Sequence, residues 1–307
     1  METVNGLEHI LTAKPIVLTI GFFDGVHKGH QKVLHKTLQL ADELKAAPVA
    51  MTFYPHPMTV LAPHIPVPLL SSEKEKEKII DDMGFDMMIV ISPDPDFLSK
   101  SAKEFLADLR KIPKLKGIVI GENFTFGRGA EGNSLMLKEY FNNSPVFVEL
   151  IPSEEDGNGK VISSTEIREL ILSGEMKKAS DLLGRRYIIN GDIVHGFKRG
   201  HRVTGFPTAN LNPEPGKIIP KDGVYATKAI IHHRFYPAVT NVGSNPTFGN
   251  EEKSIETFII SFDENIYDAP FALEWADRIR DEIKFDTVDE LKLQIKKDID
   301  KAKLILQ

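Results

Sequence analysis

Two histidines three residues apart, His27 and His30, close the run Gly21-Phe22-Phe23-Asp24-Gly25-Val26-His27-Lys28-Gly29-His30. Imidazoles at this spacing on a glycine-rich turn suit a phosphate on which charge develops during reaction. Upstream, Ile16-Val17-Leu18-Thr19-Ile20 is an apolar run of strand length. Downstream, Val33, Leu34, Leu38, Ala41 and Leu44 recur at helical spacing in a segment without Gly or Pro. A strand, a turn and a helix start together make an anion site, because the first-turn N–H groups have no intrahelical partners. The spacing therefore predicts a catalytic phosphate site, with Gly21, Phe23, Asp24 and Gly29 of the same loop expected to bind the ATP phosphates.

The elements that must position this turn alternate along the first half of the chain. Val49–Phe53, Met87–Ile91, Gly117–Gly121 and Val146–Leu150 read as further strands, with a charged helix over Glu73–Met83 and a capping box at Ser101–Glu104. Strands separated by helices predict a Rossmann-like parallel sheet in an α/β domain, with ligands at the carboxyl ends of the strands. Beyond Ile162 the pattern is helical to about Leu183, broken near Gly174. From Tyr187 the texture changes to closely spaced strands: Tyr187–Val194, Val224–Ile231, Phe235–Val242, Ile255–Phe262 and Phe271–Trp275. These predict a small antiparallel barrel or sandwich. A capping box at Thr287–Glu290 opens a closing helix with Leu291, Ile295, Ile299 and Ala302 on one face. The domain boundary is expected at 184/185, giving domains 1–184 and 185–307.

Bulk properties narrow the function. A chain of 307 residues accommodates two domains. A net charge of −6 argues against general nucleic-acid binding, which needs a basic face. No cysteine is present, which excludes disulfides and thiolate metal sites and fits a reducing compartment. With neither a basic-then-apolar leader nor a run of membrane-spanning length, the expectation is a cytoplasmic protein that does not enter a membrane.

Three further stretches carry polar groups at the carboxyl edge of the predicted sheet or near a helix start. In Ser163-Ser164-Thr165-Glu166-Ile167-Arg168, Ser163 and Glu166 satisfy a capping box, while Ser164, Thr165 and Arg168 offer hydroxyls and a guanidinium fork for a polyphosphate. In Gly121–Gly129, Phe124 and Phe126 share one face of an extended segment, either as core or as an aromatic wall beside Asn123 and Arg128. Phe53-Tyr54-Pro55-His56-Pro57 shapes either a flat pocket or a loop. In the second half, Gly205-Phe206-Pro207-Thr208-Ala209-Asn210 presents a hydroxyl and an amide oxygen two residues apart, hard ligands of the kind Mg²⁺ accepts beside phosphate and water.

In this order, these stretches resemble the prokaryotic bifunctional riboflavin kinase/FMN adenylyltransferase (FAD synthetase) family over essentially the whole chain. The resemblance implies two reactions: riboflavin plus ATP giving FMN, then FMN plus ATP giving FAD and pyrophosphate, with Mg²⁺ as cofactor. It places His27 and His30 on the ATP phosphates. Ser163, Ser164, Thr165 and Arg168 hold the leaving polyphosphate, with Asn123 near the reacting phosphates. Gly205, just before the kinase's Pro-Thr-Ala-Asn motif, and Thr208 and Asn210 within it are expected to bind ATP, Thr208 and Asn210 also as the metal ligands. Glu256 occupies the position of the catalytic carboxylate, and His56, Phe124 and Arg280 are expected to bind flavin. Strand alternation leaves open whether Ile255 or Glu256 points inward. Asp268-Ala269 stands where the family shows glycine after a tyrosine, Thr204 stands where an aliphatic residue is common, and Phe22 occupies a variable position. The competing readings are a single-activity FMN adenylyltransferase with a flavin-binding or sensing barrel, and a nucleic-acid-binding barrel, which the acidic balance disfavours.

Overall fold

Alternation decides the first unit. In β2 (Ile16–Ile20) every residue is buried, and odd and even positions serve opposite faces. Leu18 and Ile20 join one core with Phe105, Leu106, Leu109 and Phe141, while Val17 packs with Val33, Leu40 and Ala41 from the helix Lys28–Glu43. The computed structural model describes residues 1–10, 12–62, 64, 67–194, 207–244, 253–262 and 270–307. They pack as two units, Met1–Ser164 and Thr165–Gln307, each folded chiefly upon itself.

In the first unit, β2 is joined by β1 (Glu2–Asn5), β3 (Ala47–Phe53), β4 (Met87–Ile91), β5 (Leu115–Gly121) and, after the short pair β6 (Thr125–Phe126) and β7 (Gly132–Asn133), by β8 (Phe147–Ile151). The sheet is parallel throughout, in the order β1-β4-β3-β2-β5-β8. Strand β1 is the addition to the expected set. Its sequence Glu-Thr-Val-Asn is mostly exposed and carries no apolar alternation, and its pairing with β4 supplies the order that its side chains do not. From β2 the chain runs outward through β3 and β4, then returns to place β5 on the other side of β2. The strand order thus reverses between β2 and β5, the kind of position beyond whose carboxyl ends open α/β sheets bind their ligands.

In the second unit, two helices, Ser164–Ser173 and Met176–Leu183, precede the barrel, separated at Gly174 as the sequence predicts. The closed antiparallel barrel comprises β9 (Tyr187–Val194), β10 (Ala209–Pro213), β11 (Gly223–Ile231), β12 (Arg234–Ser244), β13 (Lys253–Ile259) and β14 (Phe271–Arg280), ordered β10-β13-β12-β11-β14-β9. Strand β10 departs from expectation: Pro-Thr-Ala-Asn reads as a turn, yet pairing begins at Ala209 and runs between β9 and β13. Inside the barrel, the hydroxyls of Thr227, Thr240 and Thr257 form a chain at 2.8 and 2.9 Å, and the Tyr225 ring meets the fully buried Trp275 edge-on at 5.1 Å. On the outer face, Val224, Ala226, Val239 and Ile279 pack under Ile299 and Ala302 of the closing helix Val288–Leu306.

That helix is also bolted by charge. Arg280 Nε donates to both carboxylate oxygens of Asp298 at 3.0 Å, and Nη2 adds a bond of 2.7 Å. Asp298 is buried, and Gln294 donates to it as well. Removing one member of a buried pair strands the other, so Asp298→Ala is expected to lower stability by about 3–5 kcal/mol, read as a drop in the urea midpoint of the barrel's unfolding.

Candidate functional site

The histidine loop is a tightly wound turn that the rest of its unit clamps. After β2, Gly21 N–H donates to Met51 O at 3.0 Å, and the chain then takes left-handed conformations at Phe23 (φ 53°), Gly25 (φ 76°) and Val26 (φ 39°). Such backbone persists only where surrounding bonds over-determine it. The bonds come from Asp24. Its buried carboxylate accepts from the Leu70 N–H at 3.0 and 3.1 Å and from the Ser71 N–H at 3.0 Å, while Gly25 N–H donates to Ser71 Oγ at 2.9 Å. The Asp24 carbonyl accepts from Ser164 Oγ at 3.0 Å, which joins the serine of the Ser163–Arg168 motif to the loop.

His27 ends this turn and caps the helix Lys28–Glu43, its Nδ1 accepting from the His30 N–H at 3.4 Å. The two imidazoles stack, with centroids 3.7 Å apart and planes at 21°. Gly29 makes the stack possible, since a Cβ there would lie 3.2 Å from the His27 ring. The edge of Phe23 meets the His30 ring at 5.4 Å. Nδ1 of His30 is enclosed and has no hydrogen-bond partner, so protonating it would strand a charged N–H without an acceptor. Burial first, then the neighbouring His27 and Lys76, hold the pKa of His30 well below the usual histidine value. His30 is therefore a neutral hydrogen-bonding imidazole at physiological pH, presented beyond β2 at the reversal of strand order.

Asn123 is exposed just after β5, on the other side of that reversal. Phe124 is partly buried against the core and stacks on the buried Phe126 at 5.6 Å, so the shared face predicted for them exists and Phe126 belongs to the interior. His56 meets Phe22 edge-on at 4.1 Å, and its Nδ1 accepts from the Met58 N–H at 3.1 Å, capping the short helix Pro57–Leu61. Ser163, Thr165 and Arg168 lie at the start of the helix Ser164–Ser173. Of the residues expected at phosphate, Asp24 has its carboxylate held by backbone N–H groups, and Phe23 packs in the core with Val26, Leu34 and Ile80.

Sequence reading missed Lys76. It lies in Glu-Lys-Glu-Lys-Glu-Lys, a run that reads as a solvated face, yet its side chain is 4 % exposed. The available signal is its spacing of four from Ile80, the other buried residue of the helix Glu73–Asp82. Its ammonium donates to Thr52 Oγ1 at 3.1 Å and stands 4.2 Å from the centre of the Phe22 ring.

The barrel carries a second constellation. Cross-strand register aligns Asn210 with Glu256, Glu256 with Asn241, Asn241 with Val224, and Val224 with Arg280. Paired residues share a face, so these side chains form one row across the outside of the barrel, under the same surface that the closing helix covers. Ile255 is buried and Glu256 half-buried, which settles the inward position as Ile255. Burial first, and then Glu282, raise the pKa of Glu256 above the usual glutamate value. Glu282 accepts from Asn241 Nδ2 at 3.1 Å. Arg280, expected at flavin, bonds through its guanidinium to Asp298 and to the carbonyl of Asp281. Thr208 is exposed one residue before β10. Gly205 lies outside the described residues, as do Thr204, Asp268 and Ala269. Among the described residues no cluster of three or more His, Asp or Glu side chains is arranged to hold a metal.

A parallel sheet with a histidine pair at its reversal, followed by a barrel bearing an Asn–Glu–Asn row, is the architecture of an FAD synthetase unit joined to a riboflavin kinase unit. Family models for these two units match residues 10–166 (FAD synthetase) and 183–306 (riboflavin kinase). Relatives described as bifunctional riboflavin kinase/FMN adenylyltransferase include those of Bacillus subtilis (37% identity; 93% of this chain, 91% of the relative), Haemophilus influenzae (33%; 99% and 98%) and Escherichia coli K12 (31%; 97% and 96%). A solved Streptococcus pneumoniae structure described as a macrolide-efflux protein superposes with a TM-score of 0.91 at 36% identity, covering 99% of each chain. Among the described residues no helix is long and apolar enough to cross a membrane. The chain belongs to the bifunctional riboflavin kinase/FMN adenylyltransferase family.

Loss of the Asp24 brace leaves buried N–H groups unsatisfied, so Asp24→Ala is expected to cost roughly 2–4 kcal/mol in stability by urea titration. Asp24→Asn, which keeps an accepting oxygen, recovers part of that loss.

Proposed function

We propose that this chain phosphorylates riboflavin to FMN and then transfers an adenylyl group from ATP to FMN, releasing pyrophosphate. The observation that carries this reading is that each family model coincides with one set of chemistry-bearing residues, the histidine turn in one and the Asn210–Glu256–Asn241 row in the other. We place the division between the activities near residues 184/185, and the protein in the cytoplasm.

At the first site, an FMN phosphate oxygen attacks the α-phosphorus of ATP as the bond to pyrophosphate breaks. The nucleophile is already ionised, so no general base is needed and catalysis is positioning plus charge stabilisation. His27 and neutral His30 donate hydrogen bonds to oxygens on which charge builds, without a proton transfer. The Ser163–Arg168 motif is assigned the leaving pyrophosphate, and Asn123 the reacting phosphates. His56 and Phe124 are assigned to the flavin on the family resemblance.

At the second site, Glu256 takes the proton of the ribityl hydroxyl as that oxygen attacks the γ-phosphorus of ATP and the bond to the bridging oxygen of the departing ADP breaks. Its raised pKa makes it a stronger base than a solvated glutamate. The hydroxyl of Thr208 and the amide oxygen of Asn210 are hard oxygen donors that would hold Mg²⁺. When bound, Mg²⁺ neutralises charge on the transferring phosphate; a hydroxyl and an amide oxygen, both uncharged donors, suit an ion that arrives with the nucleotide.

Incubation with riboflavin, ATP and Mg²⁺ is expected to yield FMN, FAD, ADP and pyrophosphate. FAD formed only from supplied FMN would overturn the kinase half. His30→Ala should reduce FAD formation by about 100-fold or more while FMN formation survives. Glu256→Gln should lower FMN formation by roughly 100- to 10,000-fold and leave supplied FMN adenylylated. Because the base must be ionised, kinase activity should fall with acidification at a pH above the ordinary glutamate range, as seen in the acid limb of kcat.

A further inference from the structure

Lys76 stands behind the histidine turn in a position that stability alone does not explain. Its ammonium is buried, with a hydrogen bond to Thr52 Oγ1 at 3.1 Å and the face of Phe22 at 4.2 Å. The acidic groups facing it are Asp24, whose carboxylate is already held by Leu70 and Ser71, and Glu73 on its own helix. Those charges only partly offset desolvation, and the Lys76 pKa falls to about 8. A buried cation so weakly compensated is commonly replaced by an apolar side chain with no loss of stability.

What the ammonium does impose is a field and a tether. The titratable groups facing His30 are His27, stacked on it, and Lys76 from the neighbouring helix. Thr52 Oγ1, which accepts from Lys76, itself donates to the carbonyl of Phe22 at 3.1 Å. The chain Lys76–Thr52–Phe22 thereby fixes the backbone that leads into the left-handed turn.

We propose that Lys76 is a positioning residue of the adenylyl-transfer site, holding a positive charge behind the stacked histidines and tethering the entry to their loop through Thr52. The proposal rests on the adenylyltransferase reading of that loop. The charge opposes protonation of His30, whose enclosed Nδ1 has no acceptor for a second N–H. The imidazole thus keeps its single proton on Nε2, where it can donate to a phosphate oxygen.

The test compares Lys76→Met, Lys76→Gln and Lys76→Arg in the full-length protein. His30 titration is followed by NMR of the imidazole, alongside thermal melting and the pH profile of FAD formation from FMN and Mg²⁺-ATP. Removing the like charge should raise the pH at which His30 titrates by on the order of half a unit or more in K76M and K76Q. The acid limb of kcat/KM should move the same way, with melting unchanged or higher in K76M. K76R, which keeps the charge, should stay near the wild-type His30 titration and acid limb. K76Q retains a donor for Thr52, so agreement between K76Q and K76M assigns the effect to charge; it also carries the test if K76M does not fold. An unmoved His30 titration in a folded K76M or K76Q overturns the proposal. Wild-type protein that makes no FAD from FMN overturns the adenylyltransferase reading instead, which the NMR titration distinguishes from failure of the charge coupling.

Discussion

One buried carboxylate governs the shape of the first site. Asp24 gathers two backbone N–H groups from the 70–71 segment, and its carbonyl receives the Ser164 hydroxyl. Without those bonds the left-handed run from Phe23 to Val26 would relax, and the helix behind it would no longer begin at His27. The stacking of His27 on His30, the close approach at Gly29 and the edge contact with Phe23 all follow from where that helix begins. The carboxylate sets the geometry of the loop through backbone hydrogen bonds.

The two units solve the same problem with different architectures. In the parallel sheet the strand order reverses between β2 and β5, and the loops after these two strands carry the histidines and Asn123. In the barrel, cross-strand register does the work that loops do in the sheet. Asn210, Glu256 and Asn241 come from three different strands, and antiparallel pairing alone aligns them. Burial then raises the affinity of Glu256 for a proton, and Glu282 reinforces it.

Much of this was legible in the sequence, because it is local. Ile16–Ile20, Met87–Ile91 and Tyr187–Val194 match their strands at both ends, since an apolar run or alternation bounded by turn residues leaves little freedom. The histidine turn was readable for the same reason. What escaped depends on partners distant in the chain. Strand β1 is polar and ordered by β4; β10 looks like a turn and is ordered by β9 and β13. Lys76 hides among alternating charges because one face of its helix is turned to the core. Arg280 is committed to Asp298, a residue 18 positions away on another element, and no spacing rule announces that pair.

Closure of the barrel has a consequence for how the chain is made. Its first strand, β9, finds a partner in β14, its last, and the helix Val288–Leu306 packs over the outer face of the barrel. During synthesis from the N-terminus, the parallel sheet has all its strands once Ile151 has emerged, whereas the barrel lacks its closing strand until Arg280 has emerged. A growing chain thus holds a complete sheet while its later strands still expose unpaired edges. The interval between Ile151 and Arg280 is when the barrel strands are most exposed to misassembly.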